Sequence, residues 1–265
     1  MKTALVTGGT DGVGRVVARE LGKQGWWVLV HGRDRERGEA VVREIEQSGG
    51  RASFLAADLA SLAEVRSLAD HVHKSTDRLD LLINNAGIGT AGSGRQLSQD
   101  GHELRFAVNY LAGFLLTYLL LPLLKASAPA RIVNVSSAGQ QAIDFSDVML
   151  EKHYSGVAAY CQSKLAQIMF TVDLAQQLQG ADVIVNALHP STYMNTTMVR
   201  RAGVTPASKV ETGAAAILQL AVSPKLDGRS GLYFNVMNEA RANAQAYDAK
   251  ARKQLRDLSL RLTGL

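Results

Sequence analysis

Thr3-Ala4-Leu5-Val6-Thr7-Gly8-Gly9-Thr10-Asp11-Gly12-Val13-Gly14 is the stretch on which the reading of this chain turns. Its first five residues form a short apolar, β-branched run, the mark of a buried strand. Glycines at 8, 9, 12 and 14 follow, and a helical pattern then runs to about Gln24. A strand, a glycine-rich turn and a helix start together make a cradle for phosphate. Glycine lets the backbone turn tightly and approach a ligand, and a helix N-terminus offers free N–H groups and a favourable dipole. The spacing is Gly-x-x-x-Gly-x-Gly from Gly8, not the common Gly-x-Gly-x-x-Gly fingerprint. Plain tight turns use the same residues, so placement at the first strand–helix junction carries the argument.

Trp27–His31 reads as a second strand, ending in Gly32-Arg33-Asp34-Arg35. In a dinucleotide-binding unit this strand end faces the adenosine ribose. An acid there binds the free 2′-hydroxyl of NAD, and an arginine accommodates the 2′-phosphate of NADP. Arg33 stands nearest that place, and Arg15 lies in the first turn of the preceding helix. The reading favours NADP(H). Asp34, one residue on, would turn it to NAD(H) by swinging inward.

Outward from here, strands and helices alternate. Glu36–Gln47 and Ala60–Lys74 are amphipathic helices flanking a third strand, Ser53–Ala57, which is followed by Asp58-Leu59. Leu81–Asn84 is a fourth strand and runs into Asn85-Ala86-Gly87. Leu97–Leu124 reads as mostly helical, Arg131–Val135 and Asp182–Leu188 as strands, and Val210–Val222 as a helix. Leu232–Asn235 is a last strand before a helical tail. Such alternation predicts an α/β doubly wound parallel sheet, here of seven strands, with helices on both faces. Ligands in that architecture bind at the carboxyl ends of the strands.

A long helical run from about Val157 to Gln179 carries Tyr160-Cys161-Gln162-Ser163-Lys164. Residues i and i+4 share a helix face, so the Tyr160 phenol and the Lys164 ammonium point the same way. A neighbouring positive charge is expected to lower the Tyr160 pKa from about 10, toward proton exchange near neutral pH. Cys161 points elsewhere on the helix and reads as a packed structural thiol. His71 and His73 do not share a face, which argues against a metal pair; no metal site is read.

With 265 residues, 46% of them hydrophobic, the chain can bury one large core, and no linker or repeat divides it. One domain over 1–265 is expected. The single cysteine excludes an internal disulfide and suits a reducing cytosol. A strand beginning at Thr3 leaves no room for a leader, so a cytoplasmic protein without a membrane anchor is expected. The net charge of +5 could signal nucleic acid, but the basic residues are scattered among acids, and no nucleic-acid partner is read. The most apolar segment, Tyr110–Leu124, is shorter than the ~20 residues a membrane span needs.

Taken in order, these pieces resemble the short-chain dehydrogenase/reductase family over nearly the whole chain. They are Thr7-Gly8 through Gly14, Asp58-Leu59, Asn84-Asn85-Ala86-Gly87, Asn109, Val133-Asn134-Val135-Ser136-Ser137 and Tyr160-x-x-x-Lys164. Within the family, the chain looks most like the retinol-dehydrogenase and WW-domain-oxidoreductase branch. That likeness rests on His31-Gly32-Arg33-Asp34, Ala159 through Ala166, Asn186 through Pro190, and the long gap between Ser137 and Tyr160.

The resemblance implies a single-domain Rossmann fold and hydride transfer between nicotinamide and a carbonyl or alcohol. It implies Tyr160 as general acid/base, Ser137 bound to the substrate oxygen, Lys164 on the nicotinamide ribose and Asn109 in a proton relay. Gly8, Thr10, Asp11, Gly12, Val13, Gly14 and Arg15 would hold the phosphates. Asp58 and Leu59 would meet the adenine, and Asn85, Ala86, Gly87 and Pro190 would line the cleft. Segments 138–159 and 191–208 would wall the substrate. Assembly as a homodimer or homotetramer through the two long helices is implied as well. Ser191 and Asn195 depart from the family's usual glycine and threonine, with Thr192 and Thr196 as possible substitutes. The competing reading is a non-catalytic dinucleotide-binding redox sensor or scaffold. An epimerase or dehydratase is disfavoured, because those relatives carry a larger C-terminal region.

Overall fold

The computed structural model describes residues 1–92 and 94–265. The opening run forms β1 (Thr3–Val6), and α1 (Gly12–Lys23) starts directly from the glycine-rich turn. β2 (Trp27–Gly32), α2 (Arg35–Gln47), β3 (Arg51–Ala56), α3 (Leu62–Ser75) and β4 (Leu81–Asn84) continue the alternation. The long apolar helix α4 (Leu104–Ala126) contains a π-helical turn at Ala107–Leu111. Then come β5 (Ala130–Val135), α5 (Gly156–Gln177), β6 (Val183–His189), the short α6 (Thr197–Arg201) and α7 (Val210–Val222). β7 (Tyr233–Asn235), β8 (Asn238–Ala240) and α8 (Ala249–Thr263) close the chain.

The strands lie in the order β3-β2-β1-β4-β5-β6-β7-β8. The first seven in that row run parallel, in register from Thr3 beside Trp27 to His189 beside Asn235. β8 is antiparallel to β7 and makes the sheet one strand wider than expected. Its hairpin turn is Val236-Met237, with Val236 at φ 55°. A β-branched residue in the left-handed region is an outlier, and no Asn-Gly signal marks this turn, so the hairpin is hidden in the sequence.

Both sheet faces are covered, which is why the strands read as continuous apolar runs. Alternation divides β1 between two cores. Leu5 faces the layer of α3, α4, α5 and α8, while Ala4 and Val6 face α1, α2 and α7. Helix α4 begins later than the apolar pattern suggests. Gly101 at φ 80° turns the chain, Leu97 bridges Glu103, and Glu103 Oε2 accepts from Phe106 N at 2.7 Å as the cap. By length and composition α4 could cross a membrane, but 67% of its apolar window is buried inside the protein. Its Phe106, Tyr110 and Phe114 stack in turn, and Tyr110 and Phe114 both reach Phe170 of α5. α8 closes over them, with Tyr110 bonded to Ser259 at 2.7 Å and Arg256 paired with Asp173 at 2.9 Å. The apolar side of α4 is thus largely covered within the chain.

Candidate active site

The order of the sheet leaves a crevice between β1 and β4, where successive crossovers leave in opposite directions. In such sheets ligands bind at that point. The turn after β1 is built by its neighbours. Thr7 Oγ1 accepts from Asn85 N at 2.9 Å and Ala86 N at 3.0 Å. Asn85 Nδ2 donates to Thr7 O at 2.8 Å and Gly8 O at 3.2 Å. His31 ties in the end of β2. Its Nδ1 accepts from Gly8 N at 3.2 Å, which leaves Nε2–H to donate to Ala57 O at 3.1 Å. Burial holds this imidazole neutral, pushing its pKa down to about 4.

The turn fits a nicotinamide dinucleotide. Gly8 and Gly12 sit at φ 63° and 52°, in the left-handed region. A Cβ on Gly8 would lie 2.9 Å from the Ala86 Cα, and one on Gly14 would overlap the Gly8 carbonyl oxygen. Only glycine permits this close backbone packing at the head of α1. Asp11 caps the helix, accepting from Gly12 N at 2.7 Å. Thr10 packs against Gly32, and Val13 and Leu59 are buried behind the turn.

At the adenosine end, Arg33 and Arg15 part company. The Arg33 side chain is 69% exposed beside Asp58, 3.9 Å away. Arg15 instead pairs with Glu44 of α2, its Nε donating at 3.2 Å. Two exposed ends of neighbouring helices with opposite charges find each other, a pairing between α1 and α2 that sequence spacing does not show. Asp34 does not swing inward: it caps α2, accepting from Arg37 N at 3.1 Å. Asp58 also caps its own turn, accepting from Ala60 N at 3.0 Å.

The reactive end gathers from β4, β5, α4 and α5. Ser137 follows β5, and its hydroxyl accepts from Gly139 N at 3.0 Å. Two donors hold its carbonyl, Tyr233 OH at 3.1 Å and Gln140 Nε2 at 3.0 Å. Asn109 projects from the π-helical turn of α4. Its Oδ1 accepts from Ile88 N at 2.8 Å, and its Nδ2 donates to Ile88 O at 3.1 Å and Ser163 Oγ at 3.0 Å. A Cβ on Gly87 would meet Asn109 Oδ1 at 3.1 Å and Lys164 Nζ at 3.5 Å, so these groups converge on the turn after β4. π-turns in long helices often sit at functional sites, and no sequence pattern marks this one.

Tyr160 and Lys164 do share a helix face, but the expected electrostatic effect differs. Burial raises the Tyr160 pKa above 10, and a hydrogen bond with Ser137 pulls it back. Lys164 Nζ lies 5.8 Å from the phenol ring centroid. It donates instead to Val135 O and to Gln167 Oε1, each at 2.9 Å. Buried without a counter-charge, the amine is pushed down to about 7. A desolvated ammonium turns to the nearest acceptors, and these lie under the helix rather than at the phenol.

Segment 191–208 folds back over the turn. Thr196 Cγ2 would lie 3.3 Å from a Cβ on Gly12, and Met194 packs on Gly213 beside Val13. Thr192 Oγ1 bonds His189 Nε2 at 3.0 Å, and Ser191 Oγ donates to Ser208 Oγ at 2.9 Å. Asn195 accepts from Arg200 at 2.7 Å. Of the two threonines, Thr196 is the one against the cradle. Pro190 is buried at the end of β6.

Sequence reasoning missed the roles of His31, Gln167 and Tyr233, and the buried pair Glu103–Arg105. Arg105 donates to Gly89 O and Ala91 O, each at 2.8 Å, and to Tyr154, so it ties the loop after β4 to the loop before α5. The one signal was polarity: a histidine, a glutamine or an ion pair inside an apolar run needs partners when buried.

Comparison with known proteins identifies the family. The family model for short chain dehydrogenases matches residues 2–206. The chain is 39% identical to retinol dehydrogenase 13 of Mus musculus, over 100% of this chain and 84% of that protein. A Mycobacterium paratuberculosis crystal structure superposes with a TM-score of 0.82 at 30% identity, covering 100% of this chain and 94% of the other. A short chain dehydrogenase from Burkholderia cenocepacia, solved in complex with NADP, superposes at 0.73 with 29% identity, covering 89% and 97%. The chain belongs to the short chain dehydrogenase family, on its retinol-dehydrogenase-like branch.

Proposed function

We propose that the protein is an NADP(H)-dependent reductase of a small carbonyl substrate, able to run in reverse on the alcohol, with Tyr160 as its general acid/base. The observation that carries this reading is the convergence of Ser137, Tyr160, Lys164 and Asn109 beside the glycine cradle. The bound nicotinamide supplies the hydride. The protein's own part is to bind, orient and move a proton. Ser137, its carbonyl anchored by Tyr233 and Gln140, presents a hydroxyl to the substrate oxygen. The Tyr160 phenol, raised by burial, is protonated at neutral pH, the form that gives a proton to a carbonyl oxygen. Lys164 and Asn109 face Gly87, where a ribose hydroxyl would be held.

The preference for NADP(H) over NAD(H) rests on Arg33 alone at the end of β2. Asp34 is engaged as a helix cap and Arg15 by Glu44. From segment 191–208, the nearness of Thr196 to Gly12 supports a cofactor contact by that threonine. The burial of α4 supports reading it as a core helix rather than a membrane span. A homodimer or homotetramer would use the half-exposed outer positions of α4, Tyr118, Leu119 and Leu121. A monomeric mass in light scattering at micromolar concentration would exclude that assembly.

The test of function is a panel of aldehydes and ketones with NADPH. Stoichiometric loss of NADPH with formation of alcohol is expected. Tight NADPH binding without turnover of any carbonyl would instead favour the dinucleotide-binding sensor or scaffold, and turnover without net NADPH loss an epimerase or dehydratase.

A further inference from the structure

Lys164 is buried among dipoles with no carboxylate beside it among the described residues; burial alone accounts for the depression of its pKa. The groups that face it are Tyr160 on its own helix, Val135 O from β5 and Asn109 from the π-helical turn. None carries a formal charge at neutral pH. The remaining acceptor is Gln167, three residues on along α5 and 4% exposed. An amide that accepts from an ammonium must present its oxygen, so the orientation of this glutamine is settled by its partner. Its other side borders a cavity of about 10 Å³ lined also by Asn84, Asn109 and Thr7. Asn84 Oδ1, buried on that wall, has no hydrogen-bond partner among the described residues. The cavity mixes these polar groups with apolar walls from Leu59, Val108 and Leu116 and is about the size of one water molecule, with Gln167 Nε2 and Asn84 Oδ1 as partners for it.

The backbone of this helix turn is braced as well. Thr171 Oγ1 donates to Gln167 O at 2.8 Å and accepts from Asn134 Nδ2 at 2.8 Å. Asn134 Oδ1 in turn accepts from Asn84 Nδ2 at 2.9 Å. A chain of polar side chains thus runs from β4 through β5 to the turn of α5 that carries Gln167. It gives the glutamine a fixed place in an otherwise apolar layer, where a leucine would pack without cost to shape.

We propose that Gln167 is a positioning residue that holds the Lys164 ammonium charged and in place beneath the nicotinamide end of the cleft. The inference rests on the reading of Lys164 given above as a cofactor-holding residue. Val135 O is a backbone acceptor that no substitution removes, so Gln167 is the side chain through which the strength of this hold is set.

The test is a direct titration of the amine in the full-length protein. Lysine is labelled with ¹³C at Cε, and the Lys164 resonance is assigned by its loss in Lys164→Arg. Gln167→Leu removes the acceptor at similar volume and is expected to weaken the proton affinity at least tenfold, lowering the midpoint by a pH unit or more. Gln167→Glu adds a counter-charge and is expected to raise the midpoint by at least as much. A merely structural glutamine would change the melting temperature in both variants and leave both midpoints where the wild type has them. That result, or shifts of the same sign in both, overturns the proposal. Should Gln167→Leu fail to fold, the sign of the Gln167→Glu shift decides alone. Where carbonyl turnover is present, the pH dependence of kcat/KM is expected to follow the amine midpoint. Opposite shifts without any turnover would sink the oxidoreductase reading and leave the contact standing.

Discussion

At Tyr160, exchange to Phe removes one hydroxyl and keeps the ring. The chemistry assigned to that oxygen is expected to stop, with kcat falling by about 10²-fold or more, since general acid catalysis contributes ~10²–10⁴. NADPH binding, read by fluorescence titration, is expected to stay near wild type. Near-normal turnover would sink the mechanism, and lost binding would make the ring structural. Arg33 poses a separate question, because its exposed guanidinium, only loosely paired with Asp58 at 3.9 Å, can meet a phosphate with two charge-assisted hydrogen bonds. Arg33→Ala is expected to weaken NADPH by roughly ten- to hundredfold and spare NADH. The comparison of kcat/KM for both cofactors checks it, and the difference should shrink as salt rises. Neither residue's identity needed the structure to be singled out. What the structure added is the company each keeps: Asp34 and Arg15 are occupied elsewhere, and the Lys164 amine gives its hydrogen bonds to Val135 O and Gln167 rather than to the phenol.

The first strand–turn–helix element is the unit that sequence and structure describe most alike. Its glycines are required by the backbone, whatever ligand is bound. A methyl group on Gly14 would run into both Gly8 O and the Asn85 amide. Gly14→Ala is therefore expected to cost about 1–3 kcal/mol in a denaturant melt, in the range of overpacked sites, and to weaken NADPH by at least tenfold. Normal binding with normal stability would show that the turn has room to relax. The element opposite it, the π-helical turn of α4, was not legible. A helical pattern gives a face but not an inserted residue, and the extra residue is what turns Asn109 toward Ile88 and Ser163. β8 escaped notice for a related reason, its turn being made by valine in a conformation that residue seldom adopts.

At the scale of the whole molecule, stability and the cleft share one histidine. His31 is buried neutral between the β1 turn and the end of β3, its pKa lowered from 6.5 to about 4. The unfolded chain protonates first, so stability is expected to be full above pH 6.5 and to decline as pH falls toward 4. At 1.36 kcal/mol per pH unit the loss amounts to about 3 kcal/mol. Urea melts at pH 7.5, 5.5 and 4.5 would show it, and His31→Gln should flatten that part of the dependence. An undiminished loss in the variant would assign the acid sensitivity to other groups.

The sequence by itself determined the fold class, the place of the crevice and which side chains to look for along it. Each of these follows from short-range pattern: apolar periodicity, glycine spacing and two residues four apart on one helix. The tertiary structure alone decided what each group does with its polar atoms. Arg15 lies in a phosphate-binding turn by spacing, yet Glu44, from another helix, claims it. Lys164 faces the phenol by periodicity, yet Val135 and Gln167 satisfy it. The apolar run of α4 does not say what covers its core face, yet α8 from the far end of the chain packs there. Hydrogen bonds and ion pairs act over a few ångströms, so which group wins depends on what the fold brings within reach, and that distance is not written in the order of residues.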